Sequence, residues 1–190
     1  SIQRLPNCPF TLTGLYSHYA APENDVSFYK ATEKFVKARD IIKSYDKNAT
    51  CHISASGGFL RGAHYDMVRI GLLLYGYKPF VSDAINVKPA MRVYAPVVAK
   101  RTLSVGETAL YGETRAEKPE RLSLVRYGYA DGLPRKRVKG QFGNRCMDVT
   151  ALTDNDKRFV NVIENAEELS SEYGTITYEL LCGAARRASR

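Results

Sequence analysis

Tyr77-Lys78-Pro79-Phe80-Val81-Ser82-Asp83-Ala84-Ile85-Asn86-Val87-Lys88-Pro89-Ala90-Met91-Arg92-Val93-Tyr94-Ala95-Pro96-Val97 is where the chain changes character. On its C-terminal side Met91, Val93, Ala95 and Val97 recur at every second residue, which places them on one face of a strand. Pro79 and Pro89 bound a linker, because proline neither continues a helix nor donates to a ladder. Upstream the period is different. After the start signal Pro22-Glu23-Asn24-Asp25, Phe28, Ala31, Phe35, Ala38, Ile42 and Tyr45 recur at three and four residues, one face of a helix through about Tyr45. Short apolar runs at Phe10–Tyr16, Cys51–Ser54 and Met67–Ile70 read as strands, with residues 57–62 a turn into a brief helix. The order β-α-β-α-β implies parallel strands under covering helices, either a barrel segment or a doubly wound sheet. Downstream, residues 104–107 read as a turn and 121–127 and 146–152 as strands. Residues 164–173 read as a helix, and 175–181 as either a strand or a helix start. That half is expected to be a largely antiparallel β domain.

The composition fits a folded chain: 190 residues, 44% apolar, enough for one good core or two modest ones. The formal charge of +8 suits an anionic partner, but its arrangement argues against nucleic acid. Lys and Arg are scattered except in Arg135-Lys136-Arg137-Val138-Lys139, with Arg145 nearby, and this run reads as a solvated surface loop. Cys8, Cys51, Cys146 and Cys182 form no CxxC pair and no zinc spacing with His18, His52 or His64. They are expected to be reduced and mostly buried, in a cytoplasmic protein. No segment reaches the roughly 18 apolar residues of a membrane span, and no metal site is expected.

Gly14-Leu15-Tyr16-Ser17-His18-Tyr19-Ala20, Val68-Arg69-Ile70-Gly71, Gly128-Tyr129-Ala130-Asp131-Gly132 and Cys146-Met147-Asp148, taken in order, resemble signatures of the alanine racemase family of fold-type III pyridoxal-phosphate (PLP) enzymes. Gly14-Leu15-Tyr16-Ser17-His18-Tyr19-Ala20 resembles a strand end whose histidine, here His18, stacks on the pyridine ring. Ile53-Ser54-Ala55-Ser56 resembles an Asn-Ser-Ala-Ala turn whose serine, here Ser54, binds the cofactor phosphate; Ile53 replaces the asparagine. Val68-Arg69-Ile70-Gly71-Leu72 resembles Arg-Pro-Gly, with Ile70 for the proline. By that likeness Arg69 faces the pyridine nitrogen, and the backbone N–H groups of Gly71 and Leu72 hold phosphate. Ala109-Leu110-Tyr111-Gly112-Glu113 resembles Ser-Tyr-Gly, whose tyrosine, here Tyr111, is one of two catalytic bases. Gly128-Tyr129-Ala130-Asp131-Gly132-Leu133-Pro134-Arg135 is close to the family's Gly-Tyr-Ala-Asp-Gly signature, which gives Tyr129 the substrate entrance and Arg135 the polar approach. Cys146-Met147-Asp148 matches a segment in which the Met147 N–H meets the substrate carboxylate, while Asn144 stands where arginine is common. Tyr178-Glu179 resembles a C-terminal pair whose tyrosine, here Tyr178, reaches the phosphate and the substrate side chain, and favours alanine.

The resemblance implies an α/β plus all-β chain. Residues 1–85 would be the C-terminal part of a PLP-binding TIM barrel, and residues 86–190 the mainly antiparallel C-terminal β domain. It implies interconversion of L- and D-alanine by a tyrosine and a lysine on opposite faces of Cα, supplying D-alanine for peptidoglycan. It also implies a homodimer in which Tyr111 serves the partner's site. The family's cofactor-bearing lysine precedes anything matching His18, and no lysine here stands in an equivalent motif. The chain is therefore expected to be an incomplete racemase, inactive alone. A serine racemase is the near alternative, and a noncatalytic binding or dimerisation module the more distant one.

Overall fold

The computed structural model describes residues 11–111, 113–153 and 155–186. The chain divides into two compact units between Lys88 and Pro89.

In the first unit, β1 (Gly14–Tyr16) pairs in parallel with β2 (Thr50–His52), Leu15 opposite Cys51. The expected first strand began at Phe10, which lies outside the described residues. Gly14 is required by contact: a Cβ there would stand 2.2 Å from the Thr50 carbonyl oxygen. The crossover is α1 (Asp25–Tyr45), capped by the Asn24 side chain, which accepts from the Ser27 N–H at 2.9 Å. Phe28, Phe35 and Ile42 lie on its buried face, each two turns from the next. They pack with Tyr19, Ala49, Cys51 and Ile53 into the unit's core. A brief α2 (Ser56–Leu60) follows, as the turn reading of 57–62 anticipated.

The strand expected at 67–70 contracts to one parallel rung, Ala55 opposite Arg69. The physical reason is Asp66. Its N–H donates to the Cys51 carbonyl at 3.3 Å and its carboxylate accepts from the Cys51 N–H at 2.8 Å, so a side chain takes a place a ladder would fill. Tyr65, in the left-handed region at φ 53°, turns the backbone into this arrangement. A 3₁₀ turn over 72–75 then ends at Gly76.

The second unit is a four-stranded antiparallel sheet in the order β5-β4-β3-β6. β3 (Val93–Leu103) is the long central strand. Its second half pairs with β4 (Glu120–Val125) and its first half with β6 (Phe159–Ile163); β5 (Thr150–Thr153) lies against β4. The turn at 104–107 forms as expected, with Gly106 at φ 84°. Leu103, Ala116, Leu122, Phe142 and Ala151 make one core cluster. β6 had no counterpart in the sequence reading. Helix α3 (Ala166–Tyr173) starts on the Asn165 cap and ends at Gly174. The undecided stretch after it is helical: α4 (Thr177–Ala185) buries Leu180, Leu181 and Ala184 on one face.

Candidate functional site

Parallel strands present their carboxyl ends to one side, where α/β folds bind ligands. In the first unit that edge carries His18 just past β1, Ser54 past β2, and Arg69 with Gly71 beside them. Arg69 ties it together. Its Nη2 donates to the Ser17 carbonyl at 2.8 Å and the Ile53 carbonyl at 3.3 Å, its Nη1 pairs with His52 Nδ1, and its own N–H donates to the Ser54 carbonyl at 2.9 Å. A guanidinium cannot lose its proton, so His52 accepts through Nδ1 as a neutral ring. Burial, and then the Arg69 charge, hold the His52 pKa below the usual histidine range.

Ser54 is fully buried and its hydroxyl donates to the Ala63 carbonyl. Two residues on, the Ser56 oxygen accepts from the Gly71 N–H at 3.2 Å and the Leu73 N–H at 3.4 Å. Two backbone donors and a hydroxyl thus converge beside Arg69. Leu72 is buried, and His18 is exposed at the end of β1. Reading the motifs did not single out His52 or Ser56. The signal for His52 was its place two residues before Ser54, on the same face of an extended run.

Of the other five predicted residues, the second unit carries Tyr111, Tyr129, Arg135 and Met147 on loops and Tyr178 in the first turn of α4. The Tyr129 N–H donates to the Cys146 carbonyl at 3.0 Å and the Ala130 N–H to the Met147 carbonyl at 2.9 Å, so the segments at 128–131 and 146–147 run side by side. The Gly128 N–H donates to the Asp131 carboxylate at 2.8 Å, closing the 3₁₀ turn over 129–131. Asn144, two residues ahead of Cys146, bridges to Tyr111, whose carbonyl accepts its N–H at 3.3 Å. Leu110 at φ 60° and Glu113 at φ 53° bracket Tyr111, and its side chain is 66% exposed. Arg135 and Tyr129 line one cleft with Glu179 and Cys182 of α4. Gly132 (φ 101°) presses on Gly183 of that helix, which also carries Tyr178. Tyr129, Met147 and Tyr178 are partly exposed, at 45%, 54% and 36%.

Two expectations are corrected here. Arg145 does not belong to an exposed basic loop; it is 3% exposed and hydrogen-bonded within the sheet unit. Its neighbours in sequence suggested solvation, but its side chain turns inward from the start of the 146–152 segment. The cysteines are free but not mostly buried: Cys51 is buried, Cys146 half-buried and Cys182 exposed, because Cys182 lies on the outer face of α4. Cys8 lies outside the described residues. Among the described residues no cluster of His, Cys, Asp or Glu could hold a metal, and no helix is long and apolar enough to cross a membrane.

Two family models match the chain: "Alanine racemase, N-terminal domain" over residues 1–79 and "Alanine racemase, C-terminal domain" over residues 90–190. The alanine racemase of Aquifex pyrophilus is 31% identical over 198 residues, covering 93% of this chain and 57% of that protein. That of Synechocystis is 30% identical over 225 residues, covering all of this chain and 59% of the relative. The chain therefore spans less than two thirds of the length of these relatives. Among solved structures, the biosynthetic alanine racemase from Pseudomonas aeruginosa superposes with a TM-score of 0.79 at 28% identity, covering 100% of this chain and 60% of that one. The alanine racemase from Bartonella henselae with covalently bound pyridoxal phosphate does so at 0.74 and 26%, covering 96% and 58%.

Proposed function

Because this chain belongs to the alanine racemase family, we propose that the polypeptide in which it naturally occurs interconverts L- and D-alanine with pyridoxal phosphate, using Tyr111 as one of two bases. The parallel β1–β2 pair, the α1 crossover and the Ala55–Arg69 rung support reading the first unit as a segment of a TIM barrel.

The observation that carries the cofactor assignment is the donor set on the strand-end edge. The Gly71 and Leu73 N–H groups converge on the Ser56 hydroxyl, a place where an anionic oxygen would be held more strongly than a neutral one. Arg69 is fixed by three acceptors and stays charged, which fits a group facing an unprotonated ring nitrogen. On this edge we read Gly71, with Leu73 and Ser56, for the phosphate and Arg69 and His18 for the ring; the Ser54 hydroxyl is buried and spent on the Ala63 carbonyl, and Leu72 and Tyr178 are carried over from motif likeness alone. When bound, PLP supplies the electron sink that acidifies the substrate Cα–H. Tyr111 then takes or returns that proton on one face, and its exposed phenol suits completion of a site in a second copy of the chain. Met147 offers its N–H to the substrate carboxylate, while Tyr129 and Arg135 flank the approach. The bulk of Tyr178 favours alanine over serine.

No lysine of the 190 residues stands in a motif like that of the opposite base, so the 190-residue chain alone is expected to form no D-alanine from L-alanine and PLP. In the naturally occurring polypeptide, Tyr111→Phe should lower kcat by about 10²–10⁴. Deuterium from solvent should still enter Cα from one enantiomer. Full racemisation by that variant would refute the role of Tyr111. PLP binding without turnover in the unmodified polypeptide would support the noncatalytic module instead.

A further inference from the structure

We infer that the sheet unit holds a small monovalent anion, a halide or a carboxylate, against the buried guanidinium of Arg145. The inference does not rest on the racemase reading.

Arg145 donates from Nε to Thr150 Oγ1 at 2.9 Å and from Nη2 to Gln141 Oε1 at 3.1 Å and the Tyr173 hydroxyl at 2.7 Å; Nη1 donates to the Pro134 carbonyl. The guanidinium also stands 5.5 Å over the Tyr173 ring. Every one of these partners is neutral. Among the described residues no carboxylate forms an ion pair with it. An arginine cannot discard its proton to escape burial as a lysine can, so the positive charge stays in a place where an unpaired ion is costly.

The space beside it is a cavity of about 390 Å³, with Arg145 in its wall. Asn155 is in the same wall, and its Nδ2 is buried with no hydrogen-bond partner among the described residues. A guanidinium has five N–H donors, and four are used, which leaves one on Nη1. A guanidinium with an N–H to spare and no ion-pair partner among the described residues, and a buried amide lacking an acceptor, both in the lining of one cavity, together describe an anion site. Lys139 and Lys157 add positive charge to the lining, and among the described residues Glu164 is its one carboxylate; it is exposed and unpaired with Arg145. The volume admits a chloride or an acetate with accompanying water, since a water occupies roughly 30 Å³. So few directed donors suit a monovalent ion better than a phosphate dianion.

The test uses ³⁵Cl NMR on the full 190-residue chain. Chloride exchanging with the site broadens the resonance beyond that of free ion, and acetate at rising concentration competes the excess away if the same site takes carboxylates. Chloride should also raise the thermal midpoint, by about 2–4 °C. Arg145→Met should abolish both effects. Should that variant not fold, Gln141→Glu decides: it sets a carboxylate where the amide oxygen already accepts from Nη2, supplying a built-in counter-ion at the cost of the Gln141 Nε2 bond to Gly143. It should fold and lose the excess broadening. No excess broadening in the unmodified chain, or broadening unchanged in Gln141→Glu, overturns the proposal. Chloride broadening that acetate leaves untouched overturns the carboxylate half of it.

Discussion

Replacing Gly128 with alanine strikes the point where the two loop segments carrying Tyr129 and Met147 meet. Gly128 has φ −129° and ψ −167°, a conformation that any residue adopts, so the substitution carries no backbone penalty of its own. Space is the difficulty. A Cβ at 128 would lie 2.0 Å from the Met147 carbonyl oxygen, 2.2 Å from its carbon and 2.4 Å from the Asp148 nitrogen. These are backbone atoms, so no rotamer change relieves the contact, and the segments must part by about 1 Å or more. The bonds from Tyr129 to Cys146 and from Ala130 to Met147 then stretch beyond hydrogen-bonding range. Two such bonds are worth about 0.5–1.5 kcal/mol each, and forcing an extra carbon into a packed contact costs about 1–3 kcal/mol. The expected loss is about 2–6 kcal/mol. Urea denaturation followed by circular dichroism measures it, with an unchanged m-value showing that the transition is the same one. Gly140→Ala is the control. At φ 79°, with nothing within 4 Å of its Cβ position, it incurs only the left-handed backbone cost of about 1–2 kcal/mol. If Gly128→Ala proves no worse than Gly140→Ala, the close approach of the two segments is wrong.

His52 and Tyr127 give the chain opposite pH dependences. The His52 pKa is lowered in the fold, so between its folded and unfolded values the unfolded chain binds more protons. Its contribution is complete above roughly pH 6.5 and is lost as pH falls through the folded value. His52→Gln should flatten denaturation midpoints in that range, and an equal slope in both proteins would count against the lowered His52 pKa. Tyr127 is buried, its hydroxyl donating to the Asp131 carbonyl at 2.8 Å. Burial, and then Asp131, push its pKa up to about 12. Between about pH 10 and 12 the folded chain keeps a proton that the unfolded chain has lost, so stability falls as pH rises, by up to roughly 1.4 kcal/mol per pH unit. Tyr127→Phe should remove that part of the alkaline slope; an unchanged slope refutes the assignment.

Helix α1 was legible in the sequence because local and tertiary signals agree: an Asn24 cap, then Phe28, Phe35 and Ile42 on the face that packs on Cys51 and Ile53. The long strand β3 was legible for the same reason at period two. The α4 region was ambiguous because Thr175, Ile176 and Thr177 favour strands, and the helical spacing of Leu180, Leu181 and Ala184 emerges only further along. In β6, Asn161 interrupts a short apolar run, and only Ile163 is fully buried, so neither period stands out. The site divides similarly. Arg69, Tyr111 and Tyr129 were named from motif likeness, whereas Ser56 and Arg145 acquire meaning from folded contacts that include partners 15 and 28 residues away.

Arg69 also has a mechanical side. The third parallel segment meets its neighbour in a single backbone rung, yet the Arg69 side chain reaches back to the carbonyls of Ser17 and Ile53, one beyond each of the two true strands. It acts as a rivet through three chain ends that hydrogen-bonded pairing alone leaves loosely fastened. A lysine would keep the charge and lose the fork, letting the ends splay. Any loss of cofactor affinity in Arg69→Lys should then be accompanied by faster amide exchange at Ser17 and Arg69, whose N–H groups bond across this edge. The residue proposed to meet the cofactor is also the one that holds the rim in shape.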